Sequence, residues 1–264
     1  MRRGDVVEAV HRVHAVTTDG RAHGDPELVC FLRSSAKPIQ AIPLADAYDD
    51  LDDAELAIAC ASHRAEPAQL DAVRKLLARA GATVDDLENG LQECRPEGKL
   101  GHNCSGKHAG MLAACRANDW PLHPYRDSSH PLQRRIAELI GGGDTAIDGC
   151  GVPTFARTLQ QCAELLTRVP QRIRAAMRAR PELVGASTDA LDTDLMRLRD
   201  GWIAKGGAEG LFCAAHVDGL GIALKSEDGS SRALGPALAE LLGIDELREV
   251  PLRNSLGETV GVIS

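Results

Sequence analysis

The sequence predicts an α+β protein in which strands from both chain ends form one antiparallel sheet and the middle of the chain is helical. Two observations lead to this prediction. Apolar and polar residues alternate near both ends, between turns that contain glycine, whereas the apolar residues of the middle recur at helical spacing. No regular strand–helix alternation is present, which argues against a doubly wound parallel sheet. We expect the sheet from about 1–33 and 200–264, the helical region from about 34–199, and a single unit over 1–264.

The strands are predicted first at the N-terminus, where residues 6–16 alternate up to the turn Thr18-Asp19-Gly20. A second strand at 28–32 follows, and the spacing predicts that the two strands pair as a hairpin. Near the other end, glycine-containing turns separate three further predicted strands, at 202–204, 211–216 and 221–225. Together these segments make the expected sheet.

Helices are predicted where apolar residues recur every three or four positions. The predicted helices cover residues 67–80, 110–116, 131–140, 155–169, 172–180 and 233–242. A shorter apolar run at 56–60 is also helical in character. These helices would cover the sheet and build a helical lobe from the middle of the chain.

Composition excludes several classes of function. The chain has 264 residues and a net charge of −8, which argues against nucleic acid or an anionic membrane surface as a partner. No apolar run approaches the roughly 18 residues of a membrane span, and no apolar segment follows the basic residues near Met1 as in a signal peptide. We therefore expect a cytoplasmic protein with reduced thiols. Its eight cysteines are Cys30, Cys60, Cys94, Cys104, Cys115, Cys150, Cys162 and Cys213.

Lysine is rare in this chain, with six lysines against 24 arginines. Three of the six, Lys37, Lys107 and Lys205, lie among small residues rather than on charged helix faces. Arginine stays protonated in proteins, whereas a desolvated lysine can lose its proton and act as a base or ligand. The usage indicates that these three lysines serve a chemical role.

The segment Ser34-Ser35-Ala36-Lys37 is predicted to open a helix, with Pro38 in the first turn. Residues three apart share a helix face, so the lysine amine could approach the Ser34 hydroxyl and take its proton. The alternative is that Ser34 is a plain N-cap. Lys205-Gly206-Gly207, between two predicted strands, has the Lys-x-Gly pattern of a serine β-lactamase-like site, where glycine leaves room for substrate.

Two further segments leave alternatives open. Ser62, in Cys60-Ala61-Ser62-His63, ends an apolar helical run and could simply cap it. The glycine-bounded loop from Gly101 to Gly110 carries Cys104 and Lys107, and Cys150 lies in a tight turn. Two thiolates suit zinc, with His102 or His108 as conventional further ligands, but a glycine-rich anion-binding loop before a helix is an equally good interpretation.

Taken together, these segments resemble the rhizobial-type L-asparaginases, the third structural class of that activity. The matching stretches occur in the family's order and span most of the chain: Arg33 to Ala41, Cys60 to Pro67, His102 to His108, Asp148 to Pro153 and Gly207 to Cys213. The resemblance implies a homodimer with a serine β-lactamase-like fold that hydrolyses the side-chain amide of L-asparagine.

The resemblance also implies a set of site residues. Two Ser–Lys pairs would be catalytic, Ser34 with Lys37 and Ser62 with Lys205, and Ser34 would be the nucleophile. One zinc ion per chain would be held by Cys104, Lys107 and Cys150, which replaces the histidine ligands preferred above. Asp148 would reach the zinc through a metal-bound water. The residues expected to contact the substrate are Arg33, His63, Asn103 and Asp148.

Other functions remain open at this point. A glutaminase or a β-lactam-recognising enzyme would use the same Ser34-x-x-Lys37 core, although the expected location and the absence of a Ser-Asp-Asn triplet argue against cell-wall substrates. A non-catalytic, zinc-stabilised binding protein would use Cys104, Lys107 and Cys150 structurally. A redox protein built on Cys104 and Cys150 is the weakest alternative, because neither lies beside a second cysteine in the sequence.

Overall fold

The computed structural model describes residues 1–93, 95–188 and 190–264 and confirms the α+β class. Its strands are β1 (Arg2–Arg3), β2 (Val6–Val7), β3 (Val13–Thr17), β4 (Ala22–His23), β5 (Val29–Phe31), β6 (Thr145–Ile147), β7 (Pro153–Thr158), β8 (Trp202–Gly206), β9 (Leu211–His216), β10 (Gly221–Ser226), β11 (Val250–Arg253) and β12 (Thr259–Ile263). Its α-helices are α1 (Lys37–Gln40), α2 (Ile42–Ala47), α3 (Asp53–Ala59), α4 (Pro67–Ala80), α5 (Ser105–Ala117), α6 (Pro131–Ile140), α7 (Leu159–Leu165), α8 (Gln171–Ala179), α9 (Pro181–Val184), α10 (Leu191–Leu198) and α11 (Leu234–Leu242). The strands therefore lie mainly at the two ends of the chain.

The central sheet combines both ends, as predicted. Its strand order is β4-β3-β10-β9-β8, and every neighbouring pair is antiparallel. Strands β9 and β10 are buried along almost their whole length, because helices α7 and α11 pack against the sheet and α10 packs on β8. A second small sheet joins the two termini again, with order β11-β12-β1-β2.

The predicted N-terminal hairpin is wrong. Segment 28–32 forms β5, but β5 pairs with β7 in a separate sheet of order β5-β7-β6, whereas β3 pairs with β4 and β10. The long predicted strand at 6–16 is also reduced to β2 and β3. Pairing is decided by partners distant in sequence, which the local turn signal between the first two strands does not report.

The predicted helix at 155–169 is wrong over its first four residues, which belong to β7. The helix begins only at Leu159, because the Thr158 side chain accepts a hydrogen bond from the Gln161 backbone N–H and the Gln161 side chain accepts one from Thr158. This capping box ends the strand and starts the helix. The helices predicted at 67–80 and 131–140 are confirmed with the same bounds, as α4 and α6.

Helix α5 begins at Ser105, five residues earlier than predicted, and two glycines let it lie close to α3. A Cβ at Gly106 would stand 2.3 Å from the Ile58 backbone oxygen, and one at Gly110 would stand 3.2 Å from the Ala59 Cβ. Only glycine permits this approach. The close packing holds the first turn of α5, with its lysine and flanking cysteine, beside the residues that follow α3.

Seven cysteines of the described residues are buried and free: Cys30, Cys60, Cys104, Cys115, Cys150, Cys162 and Cys213. Cys94 lies outside the described residues. Among the helices that the structure describes, none combines the length and the apolar character needed to cross a bilayer.

Candidate active site

Two neighbouring cavities collect most of the sequence-predicted site residues. The larger has a volume of about 400 Å³ and is lined by Ser34, Ser62, Arg64, Asn103, Gly185, Ala190, Asp192, Lys205, Gly206, Gly207, Ala208 and Ser231. The smaller has a volume of about 230 Å³ and is lined by Arg33, Ser34, Gln92, His102, Asn103, Cys104, Asp148, Gly149, Cys150 and Ala208. Ser34, Asn103 and Ala208 belong to both walls. The structure thus places both predicted serines beside one cavity and two of the three predicted zinc ligands, Cys104 and Cys150, beside the next.

Lys37 is brought to the larger cavity by a turn that directly follows β5. Residues Arg33–Ala36 form a 3₁₀ turn, and α1 continues from Lys37 with Pro38 in its first turn. Ser34 lies inside this turn and is not the N-cap, a position that Leu32 occupies without a side-chain hydrogen bond. The Lys37 side chain is only 1% exposed. An amine so deeply buried must be matched by hydrogen-bond acceptors.

The Lys37 amine has Ser62 as its hydroxyl partner, and not Ser34 as the sequence suggests. Its Nζ lies 3.0 Å from Ser62 Oγ, 3.5 Å from the Asn103 carbonyl oxygen and within hydrogen-bond distance of the Ala61 carbonyl oxygen. Carbonyl oxygens can only accept, so they take two N–H groups of the amine. A neutral amine then has its lone pair left for the Ser62 hydroxyl proton.

Electrostatics shift Lys37 toward its neutral form. Burial lowers the pKa of Lys37, and the positive charges of Lys205 and Lys107 lower it further, against the opposing effect of negative charge on the Cys104 and Cys150 sulfurs. Lys37 and Ser62 therefore have the contact that a general base and the hydroxyl it activates would need, and the pKa shift is in the direction that such a base requires.

His63 lies behind the cavity wall, where its ring holds the segment that carries Ser62. The Ala65 backbone N–H donates to Nδ1 at 3.1 Å, and Nε2 lies 2.8 Å from Ser105 Oγ, which itself donates to the Leu100 carbonyl oxygen at 2.7 Å. The ring is 1% exposed, and burial lowers the pKa of His63 to about 3. His63 is thus a neutral hydrogen-bonding group packed against α5, and its side chain is not part of the cavity lining, although its neighbours Ser62 and Arg64 are.

Lys205 is also buried at the larger cavity, but its partner is Asp192 rather than Ser62. Its Nζ donates to Asp192 Oδ2 at 3.0 Å and to the Gly206 carbonyl oxygen at 2.9 Å. The strand that carries Lys205 is tied to the Ser34 turn, because Ser35 Oγ donates to the Lys205 carbonyl oxygen at 3.0 Å. Asp192 was not predicted from the sequence, where it is an ordinary acidic residue in the first turn of a helix.

Arg33 and Asp148 form an ion pair at the smaller cavity. Arg33 Nε donates to Asp148 Oδ1 at 2.5 Å, and the Gly149 backbone N–H donates to the same oxygen at 2.7 Å. Burial alone would raise the pKa of Asp148, but the hydrogen bond from Arg33 and the charge of Lys107 outweigh it, so the pKa lies below its ordinary value. The ion pair with Arg33 therefore holds Asp148 as a carboxylate. Arg33 itself has a φ of 48°, a left-handed conformation that costs a non-glycine residue on the order of 1 kcal/mol.

Cys104, Lys107 and Cys150 meet in a buried cluster. Lys107 Nζ donates to Cys150 Sγ at 2.9 Å. A hydrogen bond with Cys150, together with the charges of Lys37 and Lys107, holds the pKa of Cys104 well below its ordinary value despite burial. Burial lowers the pKa of Lys107, but the charges of Cys150 and Cys104 outweigh this and raise it. The shifts favour loss of a proton by Cys104 and its retention by Lys107.

The two histidines considered as conventional metal ligands flank Cys104 and Lys107 in the sequence. His102 Nδ1 accepts from the Cys104 backbone N–H at 3.0 Å. His108 Nδ1 lies 2.8 Å from the Tyr125 hydroxyl, and its buried Nε2 lies near Cys150 without the geometry of a hydrogen bond. Over the described residues, no group of three or more His, Cys, Asp or Glu side chains is arranged to hold a metal. A metal site here would need the Lys107 amine as a donor.

Comparison with known proteins supports an assignment by family. No curated protein matches the chain. The sequence model of the L-asparaginase II family matches residues 1–259, which is almost the whole chain and includes every residue of both cavities described above. The fold also brings together the buried lysines and the serines described above. The match over almost the whole chain shows that the chain belongs to the L-asparaginase II family.

Proposed function

We propose that this protein is an amidohydrolase that cleaves the side-chain amide of L-asparagine to L-aspartate and ammonia, with Ser34, Lys37, Ser62 and Lys205 as its catalytic residues. The family assignment supports the hydrolysis of an amide. The observation that carries the proposal is the 3.0 Å contact between the buried Lys37 amine and Ser62 Oγ at the wall of a cavity of about 400 Å³. That volume suits a small amino acid.

In the first step, Ser62 Oγ attacks the amide carbon while its proton passes to Lys37 Nζ. This exchanges the roles that the sequence suggested for the two serines, because the contact of Lys37 is with Ser62. The protonated Lys37 then gives its proton to the leaving nitrogen, and ammonia departs from a β-aspartyl ester on Ser62. Holding the nucleophile, base and substrate together removes much of the entropic barrier of this step.

In the second step, water attacks the ester, Lys37 takes a proton from that water, and the Ser62 hydroxyl is restored as aspartate leaves. Ser34 lines the same cavity and would hydrogen-bond the substrate there. Arg33, Asn103 and Asp148 surround the smaller cavity, where charged and amide groups would bind the ammonium and carboxylate ends of the amino acid. His63 would influence the reaction indirectly, by holding the segment that carries Ser62.

Zinc remains part of the proposal, with about one ion per chain. Two sulfurs and an amine converge in a buried place, and the His108 Nε2 nearby lacks a hydrogen-bond partner among the described residues, so the donor chemistry fits zinc. Cys104, Lys107 and Cys150 would hold the ion, and Lys107 would have to lose its proton. When bound, zinc would supply positive charge beside the smaller cavity, which Asp148 lines together with Cys104 and Cys150.

The proposal also includes four expectations about the whole protein. We propose a serine β-lactamase-like fold, a single catalytic unit over 1–264, a homodimer and a cytoplasmic location. The antiparallel sheet made from both chain ends supports the first, and a continuous core that runs from β3 to α11 supports the second. The free thiols of the described residues support the last. The homodimer rests on the family resemblance alone.

The proposal is tested by ammonia release from L-asparagine, L-glutamine and a β-lactam, followed by mass spectrometry of the enzyme trapped with a slow ester substrate. We expect ammonia from asparagine, much less from glutamine, and a covalent adduct on Ser62. An adduct on Ser34 would restore the original roles of the serines. Ammonia from neither amino acid would refute the proposed function, and equal rates would refute the preference for asparagine.

A further inference from the structure

The buried ion pair between Asp192 and Lys205 lies at the same wall as the two serines. Asp192 Oδ2 accepts from Lys205 Nζ at 3.0 Å and from the Gly206 backbone N–H at 3.3 Å. The side chains of Lys205 and Asp192 are 1% and 10% exposed. We propose that Asp192 is a positioning residue that holds Lys205 as a cation at the cavity wall, where the cation stabilises the tetrahedral intermediate of the proposed reaction.

Among the described residues, Asp192 is the carboxylate that pairs with Lys205. Lys37 and Cys60 also interact electrostatically with Lys205, and neither is a carboxylate. Burial raises the pKa of Cys60 to about 12, so this thiol stays neutral. A buried ammonium group without a counter-ion would be strongly disfavoured, and a paired one is retained. Asp192 is therefore the counter-ion of the buried Lys205 amine.

The local backbone is built around this carboxylate. A Cβ at Gly185 would stand 2.6 Å from Asp192 Oδ1, so glycine at that position leaves the carboxylate its space. Thr193, the next residue, anchors the start of α10 by donating to the Pro181 carbonyl oxygen at 2.8 Å. The Asp192 carboxylate lies against the strand that carries Lys205, with which it makes two hydrogen bonds.

Lys205 retains capacity for the substrate after this pairing. An ammonium group has three N–H donors, and within the described residues two of them go to Asp192 and to the Gly206 carbonyl oxygen. Because Lys205 lines the cavity with Ser34 and Ser62, the third donor is available to a bound group. Negative charge develops on the amide oxygen during attack, and a preorganised cation stabilises it more than the neutral substrate.

The first test replaces Asp192 by Asn, which keeps the shape and an acceptor but removes the charge, and measures asparagine hydrolysis. We expect kcat to fall by about 100-fold with KM changed by less than about threefold, since the interaction belongs to the intermediate. Asp71→Asn is the matched control, because it removes a carboxylate from an exposed ion pair with Arg74. It should keep wild-type kcat.

The second test is a double-mutant cycle. In a Lys205→Met enzyme, adding Asp192→Asn should lower kcat by less than about threefold, because Asp192 acts through Lys205. Asp192→Glu, which keeps the charge but not the shape, should retain more activity than Asp192→Asn. Multiplicative losses in the cycle, or an Asn variant more active than the Glu variant, would show that Asp192 is only structural and would overturn the inference.

The inference rests on the proposed function, and a measurement without substrate separates the two. Lys205→Met should lower the melting temperature by about 10 °C, because it leaves the Asp192 carboxylate buried and unpaired, and adding Asp192→Asn should recover about half of that loss. A wild-type protein that releases no ammonia refutes the proposed function while this cycle still tests the ion pair. Additive losses of melting temperature would refute the pairing itself.

Discussion

Acidification should destabilise this protein through His63, a buried ring that the fold requires in its neutral form. The Ala65 backbone N–H donates a hydrogen bond to Nδ1. A proton on Nδ1 would make both groups donors, so this hydrogen bond would be replaced by a repulsive contact. The unfolded chain would bind the proton with a pKa near 6.5, whereas the pKa of folded His63 is about 3. Between these values the unfolded state binds more protons, and the stability of the fold decreases as the pH falls.

The magnitude follows from the difference between the two pKa values. Each pH unit inside the window costs about 1.4 kcal/mol, so lowering the pH from 6.5 to 5 should remove roughly 2 kcal/mol of unfolding free energy through His63. The assay is urea denaturation at pH 7 and pH 5. The wild type should lose about 2 kcal/mol more than His63→Asn, which has no proton to bind at this position.

The control for this comparison is His123→Asn, which removes a histidine whose side chain is 48% exposed. The wild type and His63→Asn are compared at both pH values, so that contributions from other groups cancel. If His63→Asn and the wild type lost the same free energy between pH 7 and pH 5, the folded ring would be free to take up a proton. The account of His63 as a neutral structural group would then be wrong.

Three further predictions concern the site and its support. Ser62→Ala and Lys37→Met should each remove nearly all asparaginase activity, and the double variant should be little worse than either, because nucleophile and base act as one unit. The rates of ammonia release by the three variants check this, and losses that multiply in the double variant would contradict it. Gly106→Ala should lower the unfolding free energy by about 2 kcal/mol or more in chemical denaturation, because the added Cβ would stand 2.3 Å from the Ile58 carbonyl oxygen. Gly219→Ala is the comparison without a steric clash, since nothing lies within 4 Å of its added Cβ, although the positive φ of Gly219 adds strain. Metal analysis should find about one zinc per chain at neutral pH, less in Lys107→Met and progressively less as the pH falls; full occupancy in that variant would exclude the lysine as a ligand.

The fold class was predictable because its signals are local and regular. Helices α4 and α6 have clear apolar periodicity and a proline in the first turn, and their predicted bounds agree with the structure. Strands β9 and β10 are separated by glycine turns and were also predicted. The partner of β5 was not, because strand pairing depends on residues more than a hundred positions away.

For the site, the sequence alone predicted candidate residues: lysines among small residues where arginine is otherwise preferred, serines at Ser34 and Ser62, and cysteines in or beside glycine-rich turns. It could not decide their pairing. Lys37 is three residues from Ser34, but burial and the carbonyl oxygens of Ala61 and Asn103 turn its amine toward Ser62. Asp192 became visible only through tertiary structure, because an acidic residue at a helix start is normally solvated, and only packing against β8 makes it the buried counter-ion of Lys205.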